Sequence, residues 1–427
     1  MRTSALSRAL MVAFAALPTL AHAINDDEVN RVLQFNFSNP GARSLGLGGA
    51  FTGLADDATA AYANPAGLTI LRTQEFGVEV RHTNFDTPYA SGGVVVNNPF
   101  DSSGVGTDSL SQSVTQPSFA SWVYPTERAT FALYYHRVGD FEGRVAADAI
   151  EFVNANGNPT DQYLSASGRI RYQIENFGAS AGFKVSDSFS VGLSLAYSDF
   201  TISSRSQRSF DVGEPPLSEQ RQSGSDNDLV YTLGALWQLN SQWNLGLAYR
   251  SGGDFSYRAS NVILDTGDRL DFTPDFKVPQ VFSAGLAFRP SDVWLFTLDL
   301  NRIEYSRLSD GIESVFNNPS APPLSIDDGT EIRFGAEYAL IELSTPMFLR
   351  AGVWRDPDHR LAFDGNRPSN CATQFDDCLA STLYTRGSDE THYSVGLGWA
   401  FPKGQLDFAA DWSDLVDTYT VSGVIRF

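Results

Sequence analysis

The sequence is poor in the residues that hold metals or carry thiol chemistry. Its 427 residues include two cysteines, five histidines and three methionines. No two histidines stand at a metal-ligand spacing such as His-Glu-x-x-His, so no metal and no cofactor is expected. Basic residues are scarce too: 30 Lys and Arg face 50 Asp and Glu, a formal net charge of −20. That excludes a nucleic-acid partner, which needs a basic footprint. Charged residues are only 19% of the chain, while aromatics reach 12% and glycines number 36. Such a balance is odd for a soluble enzyme and points to an unusual solvent. Long apolar runs are missing as well. No segment offers about 20 consecutive apolar residues, so no transmembrane helix is expected. Apolar residues are nonetheless plentiful and regularly spaced, which excludes disorder.

The first residues read as an address. Arg2 and Arg8 supply a positive start, Ala9 to Leu17 a short apolar core, and Ala21-His22-Ala23 a small-x-small cleavage site. Residues 1–23 are therefore expected to be a signal peptide. An exported chain without transmembrane helices is either soluble or a membrane β-barrel.

Alternation runs through the rest. Trp294, Phe296, Leu298 and Leu300 alternate with Leu295, Thr297, Asp299 and Asn301; Val191, Leu193, Leu195 and Tyr197 alternate with Gly192, Ser194, Ala196 and Ser198. Period two is a strand with one apolar face. Gly, Ala, Ser and Asp on the other face suit a barrel lumen. Fourteen strands are predicted, at 74–87, 118–126, 128–144, 166–184, 188–206, 226–240, 242–259, 276–289, 292–305, 329–341, 345–357, 389–402, 404–413 and 416–427. Tight turns such as Pro125-Thr126-Glu127 and Pro402-Lys403-Gly404 alternate with long polar stretches near 88–117, 145–165, 207–225, 260–275, 306–328 and 358–388. Only the last outer loop, near Ser413-Asp414, is short. Short periplasmic turns and long outer loops mark an outer-membrane barrel, and a soluble β-protein has no reason to sort its connections by length. Trp122, Tyr124, Trp237, Trp243, Trp294, Trp399 and Phe401 all lie near predicted periplasmic turns, where an aromatic girdle belongs. The chain ends on Phe427, as bacterial barrel proteins often do, which fits delivery to the barrel-insertion machinery. The expected fold is all-β: a transmembrane antiparallel β-barrel over 73–427, in the bacterial outer membrane.

Residues 24–72 do not alternate. From Asn36 to Leu71 they read NFSNPGARSLGLGGAFTGLADDATAAYANPAGLTIL. Gly46, Gly48, Gly49 and Gly53 give a closely packing backbone. Asp56 or Asp57 is positioned to cap a short helix through Tyr62, and Asn64-Pro65 ends it, because the residue before proline avoids the helical region. A segment of this length at the periplasmic end can fold back inside the barrel as a plug.

This segment resembles the FadL/TodX family of outer-membrane transporters for hydrophobic compounds. The resemblance rests on Gly41-Ala42-Arg43-Ser44-x-Gly46-x-Gly48-Gly49-Ala50, Ala55-Asp56-Asp57-Ala58 and Asn64-Pro65-Ala66-Gly67-Leu68. It implies a fourteen-stranded monomeric barrel closed by an N-terminal hatch, with Gly46, Gly48, Gly49, Asn64, Pro65 and Ala66 in that hatch. It further implies passive uptake of an apolar molecule. Ligand is caught among outer loops, enters a pocket above the hatch, and leaves sideways through a gap at a kink in the third strand. The kink is expected at Gly139 and Asp140, since glycine in a strand often marks a bulge. Aromatics Phe85, Tyr89, Phe100, Phe141, Phe152, Phe210, Phe255 and Phe316 are candidates to catch ligand, with Phe100, Phe141 and Phe210 preferred. Arg144, Arg169 and Arg171 are candidates to meet a carboxylate, with Arg144 preferred. Long-chain fatty acids are the leading cargo; aromatic hydrocarbons are the alternative. Barrels of secretion and assembly share a similar Asn-Pro-Ala-Gly-Leu segment, so a protein partner is a further reading. Outer-membrane lipid and lipopolysaccharide surround any such barrel.

Enzymatic signals are weak. His392-Tyr393-Ser394 has the His-x-Ser form of outer-membrane phospholipases, but its parity points it into the lumen, away from lipid. Cys371 and Cys378 lie in one long loop of an oxidising envelope, so a disulfide is expected. Thiol titration under denaturing, non-reducing conditions should find no free thiol; two free thiols would refute the bridge.

Overall fold

The computed structural model describes residues 37–97, 100–310, 323–369 and 374–427. Residues 1–23, Phe316 and Cys371 lie outside them. Among the described residues no helix is long and apolar enough to cross a membrane. The chain crosses with strands instead.

Fourteen of them form the wall: β1 (Glu75–Asn97), β2 (Phe100–Pro125), β3 (Ala129–Ala147), β4 (Ser165–Lys184), β5 (Phe189–Ser209), β6 (Ser218–Gln238), β7 (Trp243–Arg250), β8 (Val281–Phe288), β9 (Trp294–Ile303), β10 (Gly329–Leu340), β11 (Met347–Asp356), β12 (Glu390–Phe401), β13 (Gly404–Trp412) and β14 (Val416–Arg426). Each pairs antiparallel with the next, and β14 returns to β1 over Glu75–Phe85. The barrel is closed, so no sheet edge faces lipid at its base. Outward positions carry the apolar alternation: Phe131 and Leu133, Leu193 and Leu195, Leu298 and Leu300 are all exposed. In the periplasmic half the inward positions are mostly small or polar, as read from the sequence.

Two sequence expectations need correction. The first outer loop, expected at 88–117, is mostly strand. β1 runs on to Asn97 and β2 starts at Phe100, and the two stay paired above the barrel. Ser, Thr, Gly and Asp fill this hairpin, and it buries little of either face. It therefore lacks the apolar alternation by which strands are recognised. The strand expected at 242–259 stops at Arg250; short strands at Asp254–Ser256 and Arg258–Ile263 follow. Gly252 lies where a Cβ would stand 1.8 Å from the Val278 carbonyl, so the chain turns there with no room for a side chain.

Outer segments fold over the mouth. After β3 the chain forms a hairpin, Ile150–Val153 with Pro159–Tyr163, whose first strand pairs parallel with Gly93–Val96 of β1. Leu379 and Leu383 of the helix Phe375–Leu383 pack there with Val95, Ile150 and Phe152.

Candidate functional site

The hatch fills the periplasmic half of the lumen. Helix α1 (Ala42–Gly46), helix α2 (Ala60–Ala63) and a 3-10 turn (Pro65–Ile70) are joined by loops and almost entirely buried. Proline ends α2 as expected. Asn64 then organises the turn: its side chain accepts from the Ala66 N–H and donates to the carbonyls of Thr52 (2.9 Å) and Ala235 (3.2 Å). Asp57 accepts from the Thr59 N–H just before α2, and burial pushes its carboxyl up against the pull of Arg43.

What seats the hatch is a collar of wall glycines. A Cβ on Gly246 would stand 2.1 Å from the Thr52 carbonyl, one on Gly335 2.5 Å from that of Leu47, and one on Gly352 2.2 Å from the Gly48 nitrogen. Gly192 meets the Ala66 nitrogen in the same way, and Gly234 makes room for the Asn64 side-chain oxygen. Here hatch backbone touches wall backbone, and Gly48 and Gly49 hold φ of +65° and +76° to do so. The seat is also polar. Asp299 accepts from the N–H groups of Phe51 and Thr52, both at 2.8 Å. Arg350, fully buried, bridges Glu337 and Asp407 at 2.7 Å each, and Glu337 also receives Arg43. Arg333 pairs with Glu331 and donates to the Gly48 carbonyl. His392 and Ser394 belong to this seat. His392 meets Asp411 at 2.7 Å beneath the stacked ring of Trp354, and Ser394 accepts from the Gly48 N–H.

Above the hatch the lumen turns apolar. Phe85, Phe141, Ile170, Tyr172, Ile174, Phe200, Ile202, Phe255, Tyr257 and Phe276 form one buried cluster with Phe37. Phe200 stacks on Phe255 and Phe276, each at 5.0 Å. Phe141 is thus inside, as are Phe85 and Phe255. Phe100 and Phe152 lie in the separate outer cluster, and Phe210 is exposed on a loop. Arg144, Arg169 and Arg171 are exposed on the outward face, because Phe141, Ile170 and Tyr172 take the inward positions. They do not line a lumen pocket, contrary to the expectation from the sequence.

Between hatch and cluster lies a cavity of about 30 Å³. Phe37, Tyr62, Val138, Ile174, Val230 and Arg250 are among its walls. Arg250 donates to the Tyr62 hydroxyl (2.9 Å) and to Asn39 (3.3 Å), and its guanidinium sits 4.5 Å over the Tyr62 ring. Among the described residues its buried Nε has no acceptor and the buried Asn176 Oδ1 no donor. Arg43, Arg81, Arg333 and Arg350 each have a carboxylate; Arg250 has none among the described residues. Composition gives no signal for it, since its distinction is the absence of a partner.

The wall beside this cavity is split. β2 and β3 pair only from Phe119–Pro125 to Thr130–His136. Above that, β2 stays with β1 and β3 with β4. Both strands bulge at the parting: Ser118 is skipped in the β1–β2 register and Val138 in the β3–β4 register. Pro117 brings no N–H to either ladder. Val138 lines the cavity, and Gly139 and Asp140 follow it, so the sequence-predicted kink coincides with the bulge. The bulge also flips parity, which carries Phe141 inside. Arg137 spans the split with a 2.8 Å hydrogen bond to Gln116 and pairs with Glu175 and Asp140. Cys378 is disulfide-bonded, and the described residues hold no free cysteine.

Residues 163–360 match the family model described as outer membrane protein transport protein (OMPP1/FadL/TodX). Over that stretch the chain matches the FadL/TodX family, and its barrel belongs in the bacterial outer membrane. Its fold is shared with a Pseudomonas aeruginosa FadL homologue at 12% identity, covering 92% of this chain and 100% of that one, TM-score 0.66. The Ralstonia pickettii toluene transporter TbuX matches at 16% identity over 92% and 99% of the two chains, TM-score 0.60. The Pseudomonas putida toluene transporter TodX matches at 14% over 92% and 99%, TM-score 0.57. No curated protein sequence matches. The family that this model describes is one of transport across the outer membrane.

Proposed function

We propose that this barrel takes up long-chain fatty acids. The observation that carries the reading is Arg250: a cation without a carboxylate partner among the described residues, at the wall of an otherwise largely apolar cavity. A half-buried guanidinium without an anion is incompletely solvated, and a fatty-acid carboxylate supplies the missing partner with bidentate geometry. The aliphatic tail then lies among Ile174, Tyr172, Phe200 and Phe276. The cavity is far smaller than the 300–1,000 Å³ of ordinary ligand sites, so cargo must widen it, by displacing Phe37 or by parting β2 from β3. Exit through that split spares the tail the periplasmic water, while the glycine collar keeps the axis shut. No energy input is needed, because an apolar lumen solvates the cargo.

The second reading is aromatic hydrocarbon. The stacked rings of Phe200, Phe255 and Phe276 favour it, as do the toluene transporters of like fold. Uptake of labelled oleate, by cells with and without this protein in an outer membrane lacking other such transporters, tests the choice. Protein-dependent uptake is expected, and it should fall with Gly139→Val, whose new side chain meets Tyr172 at the bulge. Absence of uptake through a properly inserted barrel overturns the fatty-acid reading.

A further inference from the structure

The outward arginines that left the pocket stand together elsewhere. On the upper wall of β3 to β6, Arg144, Arg169, Arg205 and Arg221 occupy one line. Arg144 pairs in register with Arg169, Arg169 with Arg205, and Arg205 with Arg221. Directly opposed residues share a face, and all four are exposed. Arg171 and Arg258 flank the line on the same face. Like charges directly opposite one another destabilise a sheet. Among the described residues one carboxylate pairs with the row, Glu219, held by Arg205 at 2.6 Å and also by Arg221; Glu142 shares the face, opposite Arg171, without an ion pair to it. Arg144, Arg169 and Arg171 have no ion pair among the described residues. Other outward arginines at the outer end are matched, Arg302 with Asp328 and Arg355 with Asp389. In a chain of net charge −20 this row is a local exception.

Its height names the partner. Outward residues change from apolar to polar after Phe177, Tyr197 and Leu229, at Glu175, Asp199 and Asn227. Arg169, Arg205 and Arg221 each lie six residues farther out. Six residues are about 20 Å along a strand, or roughly 15 Å above the lipid boundary at the usual barrel tilt. Beside an outer-membrane barrel, that level is occupied by the phosphorylated saccharide of the outer leaflet. We propose that the Arg144–Arg169–Arg205–Arg221 row is a docking surface for lipopolysaccharide, reading its core phosphoryl groups. Guanidinium forks bind phosphate bidentately, and strands about 4.8 Å apart spread four of them over about 14 Å. Phosphate relieves the repulsion within the row, and the acidic loops around it confine the anion there.

The test uses full-length protein in detergent and purified lipopolysaccharide with a phosphorylated core, followed by native mass spectrometry. Wild type should retain lipopolysaccharide, and Arg169→Gln combined with Arg205→Gln should weaken retention at least tenfold. Lipopolysaccharide dephosphorylated with hydrofluoric acid should bind wild type as poorly, an arm that needs no variant to fold. Equal retention by wild type and variant, or of native and dephosphorylated glycolipid, overturns the proposal. So does displacement by millimolar inorganic phosphate, which assigns the row to free phosphate, or by polyglutamate, which assigns it to an acidic protein. Oleate uptake by the double variant should be unchanged, which keeps this test independent of the cargo.

Discussion

Replacing Arg250 by Leu is expected to weaken fatty-acid binding about thirty-fold while leaving a neutral aromatic hydrocarbon nearly unaffected. Truncating one partner of a desolvated charge pair costs about 2 kcal/mol or more, and 2 kcal/mol is roughly a factor of thirty in Kd. The lower end applies because Arg250 is only half-buried. Arg250→Lys should recover part of the loss, since a point charge replaces a fork. Titrating a fluorescent fatty acid and, separately, toluene against the same detergent-purified variants reads both effects. The comparison matters because Arg250 also holds Tyr62 and Asn39 of the hatch. If both ligands weaken equally, Arg250 positions the hatch and does not read a carboxylate. If neither weakens, the cavity is not on the path.

Much of this is legible in the amino-acid sequence. Period-two alternation and the sorting of connections by length give all fourteen strands, because a lipid-facing wall leaves outward positions no choice but apolar. The hatch is legible for the opposite reason: glycines and Asn64-Pro65 interrupt a chain that otherwise alternates. One further signal is present and easily passed over. In β4 the apolar residues stand at odd positions near Phe177 and Phe183 but at even positions at Ile170, Tyr172 and Ile174. In β5 the same switch separates Leu193, Leu195 and Tyr197 from Phe200 and Ile202. The phase reverses where the outer solvent changes from lipid to water and the lumen changes from hatch to apolar cluster. Read that way, the sequence already turns Arg169 and Arg171 outward.

Other features were not legible, for definite reasons. The polar hairpin of β1 and β2 has no buried face to impose a pattern. The split between β2 and β3 depends on two bulges in different ladders, at Ser118 and Val138. Only Pro117 and Gly139 hint at it, and each has commoner explanations. The partnerless state of Arg250 is a relation between elements and is written in no single segment. The arginine row likewise appears only when register sets Arg144, Arg169, Arg205 and Arg221 side by side.

The hatch seat makes the strongest stability prediction. Arg350 has no exposed side-chain surface and neutralises Glu337 and Asp407 together. Arg350→Met fits the space but leaves Asp407 with Gln405 alone and Glu337 with Arg43 alone. Breaking a buried ion pair from one side costs about 3–5 kcal/mol, because an uncompensated charge stays behind. The expected result is a barrel that still inserts but unfolds at clearly lower urea, and whose hatch loosens enough to pass ions. Equilibrium unfolding in detergent micelles and planar-bilayer conductance read the two effects. Removing the stranded charges as well, in Arg350→Met with Glu337→Gln and Asp407→Asn, should restore most of the stability, since neutral groups of the same shape need no cation. It should not restore the seal fully, because Arg43 then loses the carboxylate at 3.1 Å that ties α1 to the wall. A single variant as stable as wild type would mean that water or protons already neutralise the site. The glycine collar, with backbone against backbone at Gly246, Gly335 and Gly352, would then hold the hatch by shape alone.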